Sequence, residues 1–194
     1  MTAALSDLPP ADGWTTDDLD ALPDDGVRRE LLDGVLHVSP SPTDIHQIIA
    51  MRLGVALERT CPESMQVTQG VEVRISPRRS FIPDVLVATD EAARRRGRFY
   101  APHEVLLAVE IVSPTSQSMD RVLKPALYAK AGIAHYWRIE TEAALTAYTY
   151  TIDPVDEVYQ QTGVFTDAIE TDQPWDITVP IADLTPRHFH GPTT

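Results

Sequence analysis

Two apolar runs are each broken by a single carboxylate, and this constrains the chain more than any other feature. FIPDVLVA (81–88) carries Asp84, and VLLAVEIV (105–112) carries Glu110. Runs this continuous read as strands buried on both faces, as in the middle of an α/β sheet. An ionised carboxylate in such a strand costs several kcal/mol unless something replaces its lost hydration. Pro83 has no N–H to give to a ladder and belongs at a strand end or an irregularity, so Asp84 is expected where the sheet opens. Ser113-Pro114 follows Glu110 closely and sets that acid near a strand end too. Two readings stay open for the pair. The acids face arginines or solvent, or they share a hard cation. Mg²⁺ suits the second reading, because it takes oxygen ligands, binds through few carboxylates and keeps waters for a phosphate substrate.

The surrounding pattern gives the sheet its helices. TTDDLDAL reads as a short helix, with a Thr cap followed by acids in the first turn. ELLDGVLHVS reads as a hairpin turning at Asp33-Gly34. Over residues 43–60, Ile45, Ile48, Ile49, Leu53, Ala56 and Leu57 recur at helical spacing. MQVTQGVEVRIS (65–76), FIPDVLVAT (81–89) and VLLAVEIVS (105–113) read as three strands. Residues 118–132 read as a helix ending at Gly132, AHYWRIE, LTAYTYTI and EVYQQTG supply further β segments, and ITVPIADL reads as a last strand and a short turn of helix. The expectation is a mixed central sheet flanked by helices, with an N-terminal helix and hairpin and extra C-terminal strands. Residues 1–13 are expected to be loose, and 14–190 to form a single domain.

The net charge of −13 argues against a nucleic-acid partner until its distribution is considered. Residues 1–33 hold nine acids and two arginines, and residues 140–194 hold ten acids and one arginine. The middle, 34–139, holds ten acids against thirteen bases, so the acidity sits at the ends of a mildly basic centre. No apolar run approaches the length of a membrane span. The single cysteine, Cys61, excludes a disulfide framework and a Cys-based zinc site. With no basic-then-apolar leader in MTAALSDLPPADGW, the cytoplasm is the expected compartment.

Other residues are open to two readings. The chain has only two lysines, Lys124 and Lys130, against fourteen arginines, and Asp120, Lys124 and Tyr128 fall on one helical face. Lys124 is either a chosen ammonium or half of a surface ion pair with Asp120. Arg94, Arg95, Arg96 and Arg98 lie between the acid-bearing strands, as a phosphate clamp or a solvated loop. Arg78 and Arg79 have a weaker claim of the same kind. His188 and His190 read as a polar tail, Tyr136 and Trp137 as core.

Taken together, RRELLDGVLHVSPSP (28–42), IPDVLVA (82–88) and LLAVEIVSPTSQSMDRVLKPALYAKAGIAHYW (106–137) resemble the Uma2 family (DUF820) of the PD-(D/E)XK nuclease superfamily. The resemblance implies a restriction-endonuclease-like fold and a bacterial, metal-dependent endonuclease acting on nucleic acid, with DNA expected. Asp84 corresponds to the acid of the Pro-Asp element and Glu110 to the second acid. Many superfamily members have a Lys two residues after that acid. Here that position is Val112, and the family pattern moves the Lys to Lys124. Glu30 matches a further family acid, and His46 a common position of unassigned role. The resemblance implies that Asp84, Glu110, the main-chain carbonyl of Ile111 and Glu30 hold Mg²⁺, with Mn²⁺ as a substitute. Lys124 would orient or deprotonate the attacking water, or stabilise charge on the phosphate. Pro125 departs from a regular helix and is expected to bend it and displace Lys124. A homodimer would suit cleavage of both strands. The alternative is a nuclease fold that has lost turnover and binds nucleic acid or a protein.

Overall fold

The chain leaves one sheet and enters another at Ile82-Pro83-Asp84, and this crossing organises the computed structural model, which describes residues 9–189. On one side, β1 (Arg29–Leu32) and β2 (Val35–Val38) form the expected hairpin. Its turn residues Asp33 and Gly34 have φ of 52° and 83°, as a two-residue hairpin loop requires. With β4 (Glu72–Ser76), β5 (Arg79–Phe81) and β7 (Phe99–Tyr100) they make a five-stranded sheet in the order β2-β1-β5-β4-β7.

On the other side lies a six-stranded sheet. It contains β3 (Met65–Thr68), β6 (Val85–Thr89), β8 (Val105–Ile111), β9 (His135–Glu140), β10 (Thr146–Asp153) and β11 (Val158–Phe165). The order is β11-β10-β9-β8-β6-β3, and β8–β9 is the parallel pair in an otherwise antiparallel ladder. A parallel pair needs a crossover. Here it is a π-helical turn (Met119–Leu123) running into a helix at Lys124–Lys130.

The remaining helices are α1 (Thr16–Ala21), α2 (Asp44–Glu58), α3 (Asp90–Arg94) and α5 (Ile181–Leu184), so the crossover helix is α4; β12 (Ala168–Thr171) and β13 (Ile177–Pro180) form a small ribbon. The Thr15 side chain caps α1, and the Asp18 carboxylate accepts from the Thr15 N–H. The mixed sheet, the N-terminal helix and hairpin and the added C-terminal strands match the expected architecture. Among the described residues, no helix is long and apolar enough to cross a membrane.

Three expectations from the sequence need correction. Residues 65–76 are two strands in two different sheets, divided at Gly70, whose φ is 63°. FIPDVLVAT is likewise split, because Pro83 has no ladder hydrogen and the chain changes sheets there. The segment expected as one helix over 118–132 is π-helical over its first part. The Lys124 N–H donates to the Met119 carbonyl, five residues back. The next bond in that series would run from residue 125 to the Asp120 carbonyl. Pro125 has no hydrogen to give, and the Tyr136 hydroxyl donates to that carbonyl instead. Residues 1–8 of the expected loose segment, and His190, lie outside the described residues.

Alternation along β6 and β8 divides the core. Val85, Val87, Leu107, Val109 and Ile111 face a cluster with Ile49, Leu53 and Leu57 of α2. Leu86, Ala88 and Ala108 face the opposite cluster, with Phe81, Tyr128 and Tyr136. Tyr136 and Trp137 are both core residues, as expected. By the same parity, Asp84 and Glu110 belong to the Leu86 and Ala108 face, under α4 and the five-stranded sheet.

Candidate active site

Asp84 is fastened across three residues of β8. Its N–H donates to the Val109 carbonyl at 3.0 Å, and its Oδ2 accepts from the Ile111 N–H at 2.8 Å. It therefore straddles Glu110, and the two interrupted runs bring their acids to one place. Glu30 arrives from β1, where its Oε1 accepts from the Ile82 N–H at 2.8 Å, tying the hairpin to the sheet crossing. Lys124 arrives from the first turn of α4. Its Nζ lies 3.0 Å from Glu30 Oε1, 3.1 Å from Glu110 Oε1 and 3.6 Å from Asp120 Oδ1.

The Asp120–Lys124 pair is therefore buried, and the surface-pair reading is overturned. Pro125 does not displace Lys124. It stands at the start of α4, where a missing N–H is tolerated, and the wider π turn before it feeds Lys124 inward. The Tyr128 hydroxyl donates to Glu110 Oε1 at 2.8 Å, so Asp120, Lys124 and Tyr128 act as one face.

Three contacts to the acids are not identified by sequence reasoning, two of them made by residues that it singles out. Arg28 Nη1 lies 3.0 Å from Asp84 Oδ1, and its Nη2 donates to the Ile82 carbonyl. A signal for it exists, since residues 28 and 30 share a face of an extended strand. His46, near the start of α2, donates from Nε2 to Asp84 Oδ2 at 3.1 Å, while its buried Nδ1 has no hydrogen-bond partner among the described residues. Tyr128 stands out by its helical spacing, but its bond to Glu110 crosses between elements.

Electrostatics follow from burial. Glu30, Asp84, Glu110 and Asp120 are all buried, against the cations Lys124 and Arg28. Burial would raise Asp84, but the hydrogen bond from His46, the Arg28 guanidinium and the Ile111 N–H hold it down to about 2. Burial pushes Glu110 well above its ordinary range; Lys124 opposes this, and Asp120, Asp84 and Glu30 add to it. Burial likewise raises Asp120 against the pull of Lys124. Burial would lower Lys124, yet Glu110, Glu30 and Asp120 prevail and hold it charged.

Arg28, Glu30, His46, Asp84, Glu110, Ile111, Asp120 and Lys124 all line a cavity of about 550 Å³. Its mouth is made by Ser39-Pro40-Ser41-Pro42-Thr43 and Ser113-Pro114-Thr115-Ser116. Among the described residues, no three His, Cys, Asp or Glu side chains converge as a ready-made metal cage. A Mg²⁺ site needs no cage, since one or two carboxylates with waters and phosphate suffice. The donor set fits such an ion in two respects. The oxygens are hard, and the buried carboxyls outnumber the cations Lys124 and Arg28, so a divalent ion would favour the charged form of those that burial now holds toward protonation.

The arginine run lies elsewhere. Arg94 pairs with Asp90, Arg95 with Glu104 at 2.5 Å and Arg98 with Asp24 at 3.6 Å, and neither they nor Arg96 line the cavity. Arg79 pairs with Asp33, and the exposed His188 stands apart from the site.

Comparison with known proteins agrees with this architecture. The family model described as "Uma2: Putative restriction endonuclease" matches residues 16–179. A crystal structure described as "a putative nuclease belonging to DUF820", from Anabaena variabilis ATCC 29413, superposes with a TM-score of 0.67 at 19% identity. The match covers 88% of this chain and 96% of that one, and it shows the same fold. No curated protein matches the chain.

Proposed function

The chain belongs to the Uma2 family of restriction endonuclease-like proteins, and on that premise we propose that it hydrolyses phosphodiester bonds of nucleic acid, DNA first, with Mg²⁺ or Mn²⁺. The observation that carries this reading is the buried excess of carboxyl groups beside an accessible cavity. Asp84, Glu110, the Ile111 carbonyl and Glu30 would hold the ion. When bound, it would polarise the phosphate and lower the pKa of a bound water.

The protein groups divide the remaining work. Lys124 is held charged by three carboxylates, so it serves as a fixed cation for charge developing on the phosphate rather than as a base. Tyr128 orients Glu110, and His46 and the Ile111 N–H orient Asp84. The two Ser/Thr-Pro loops offer hydroxyls and main-chain N–H groups to the nucleic-acid backbone at the cavity mouth. The same reading takes residues 14–190 as one functional domain, working in the cytoplasm, and a homodimer as the form that would cut both strands.

A second reading is favoured by one observation. Both oxygens of Asp84 already have protein partners, as they would in a fold that had lost turnover and kept only binding. Calorimetry with Mn²⁺ followed by incubation with supercoiled plasmid separates the two. Binding with nicking is expected of the nuclease, and binding without nicking of the module.

Cation affinity should rise with pH. Without an ion, Glu110 holds its proton above the ordinary carboxyl range. Binding must expel that proton, so acid competes with metal. Titration calorimetry in two buffers of different ionisation enthalpy should register the released proton. Equal heats, and an affinity that does not change as pH rises above the ordinary carboxyl range, would count against Glu110 as a ligand.

The arginine run would serve as an outlying phosphate-binding patch. Replacing Arg94, Arg95, Arg96 and Arg98 by Gln should weaken DNA binding alike for all sequences. The slope of its salt dependence should fall by about one for each arginine that had neutralised a phosphate. An unchanged slope would make the run solvated surface.

A further inference from the structure

Of the two cations in the buried cluster, Arg28 is the one with a way out. Its side chain is 28% exposed, against 5% for Lys124 and 5% for Asp84. It lies just before β1 and meets the cluster from the cavity wall. Nη1 takes Asp84 Oδ1, while Nη2 is anchored on the Ile82 carbonyl and stands 3.8 Å from Glu30 Oε1. The other Asp84 oxygen is held by His46 and the Ile111 N–H, which fix the carboxylate in place. An incoming cation therefore meets an Asp84 whose orientation is set and whose Oδ1 is covered by a guanidinium. A divalent ion and a guanidinium repel each other strongly at such short range. Lys124, on the first turn of α4 and bound to three acids with a side chain only 5% exposed, has no room to swing out; Arg28 has.

We propose that Arg28 is a resident counter-cation for Asp84, which a divalent ion must displace and which then turns to face phosphate in the same cavity. The proposal rests on the reading of Asp84 as a metal ligand. Arg28 thereby lowers the affinity of the bare protein for metal and links metal entry to substrate binding. Such a linkage is reciprocal: what favours the displaced guanidinium, a phosphodiester included, favours metal binding by the same factor.

The test measures Mn²⁺ binding by calorimetry on four folded proteins. Arg28→Gln should bind Mn²⁺ about tenfold more tightly than wild type, within the usual range of such couplings. Arg28→Lys keeps the charge but cannot hold Asp84 and the Ile82 carbonyl together, so it should fall between the two. Equal or weaker binding by Arg28→Gln would overturn the proposal. If that variant fails to fold, Arg28→Lys decides alone, and wild-type affinity would overturn it.

Asp84→Asn separates the proposal from its premise. If Asp84→Asn binds Mn²⁺ like wild type, the reading of Asp84 as ligand fails. If it loses Mn²⁺ while Arg28→Gln is unchanged, only the role of Arg28 fails. Binding of a phosphorothioate oligonucleotide supplies the second readout. Arg28→Gln should lower its salt slope by about one with Mn²⁺ present and leave it unchanged without. The same drop in both conditions would overturn the movement toward phosphate.

Discussion

Replacing Lys124 by Met destabilises the protein by about 3–5 kcal/mol, a fall in melting temperature on the order of 10 °C for a chain of this size. The substitution fills much of the same space, so the loss is electrostatic. Lys124 is the shared partner of Glu30, Glu110 and Asp120, all buried, and Arg28 approaches only Glu30 among them, at 3.8 Å. Without it, Glu110 keeps the Tyr128 hydroxyl and Glu30 the Ile82 N–H and the more distant Arg28, and each acid must stay charged without its close cation or take up a proton. Protonation is cheaper at low pH, so the loss should be larger at pH 8 than at pH 6, and thermal melts at both would show it. Adding Glu110→Gln removes one stranded charge and should restore part of the stability, a coupling that a double-mutant cycle measures directly. A Lys124→Met protein that melts with wild type at both pH values would mean that the buried ion pairs do not hold the crossover helix to the sheet.

The second large effect separates activity from stability. Asp84→Asn or Glu110→Gln should each lower metal-dependent cleavage by at least 10²–10³-fold, roughly the effect of removing one group that stabilises transition-state charge. Glu110→Gln should do so while melting at or above the wild-type temperature in metal-free buffer. The sign follows from linkage. Glu110 holds its proton in the fold above the ordinary 4.5 at which the unfolded chain releases it. Over that interval the folded state binds more protons, and stability falls as pH rises. Glutamine has no proton to lose, so the variant escapes the fall. Near-normal cleavage by either variant would reject the assignment of these acids, and a collapse of Glu110→Gln would make the residue structural.

The acids were legible because their cost is local. A carboxylate inside an apolar run is anomalous whatever the rest of the chain does, and Pro83 marked where the sheet opens. The hairpin at Asp33-Gly34 and the long helix α2 were legible for the same reason, since turn geometry and helical spacing are short-range. What could not be read was the allocation of strands to sheets. MQVTQGVEVRIS alternates evenly across both β3 and β4, and nothing within it says that its halves pair with different partners. The π turn was hidden too, because Pro125 predicts a break but not that a distant tyrosine hydroxyl will serve the abandoned carbonyl. The partners of Asp84 come from β6's far neighbours in sequence, Arg28 and His46, and only folding brings them near.

The junction at Ile82-Pro83-Asp84 also makes the chemistry intolerant of length change. Side chains on β6 alternate between the α2 side and the cavity side, and Asp84 directly precedes the strand, so losing or gaining one residue between it and a β6 held in register would flip the acid toward the oily layer beneath α2. No intermediate position exists between the two faces. Drift in this protein can therefore proceed by exchanging residues along β6, whereas an indel there would abolish the site in a single step.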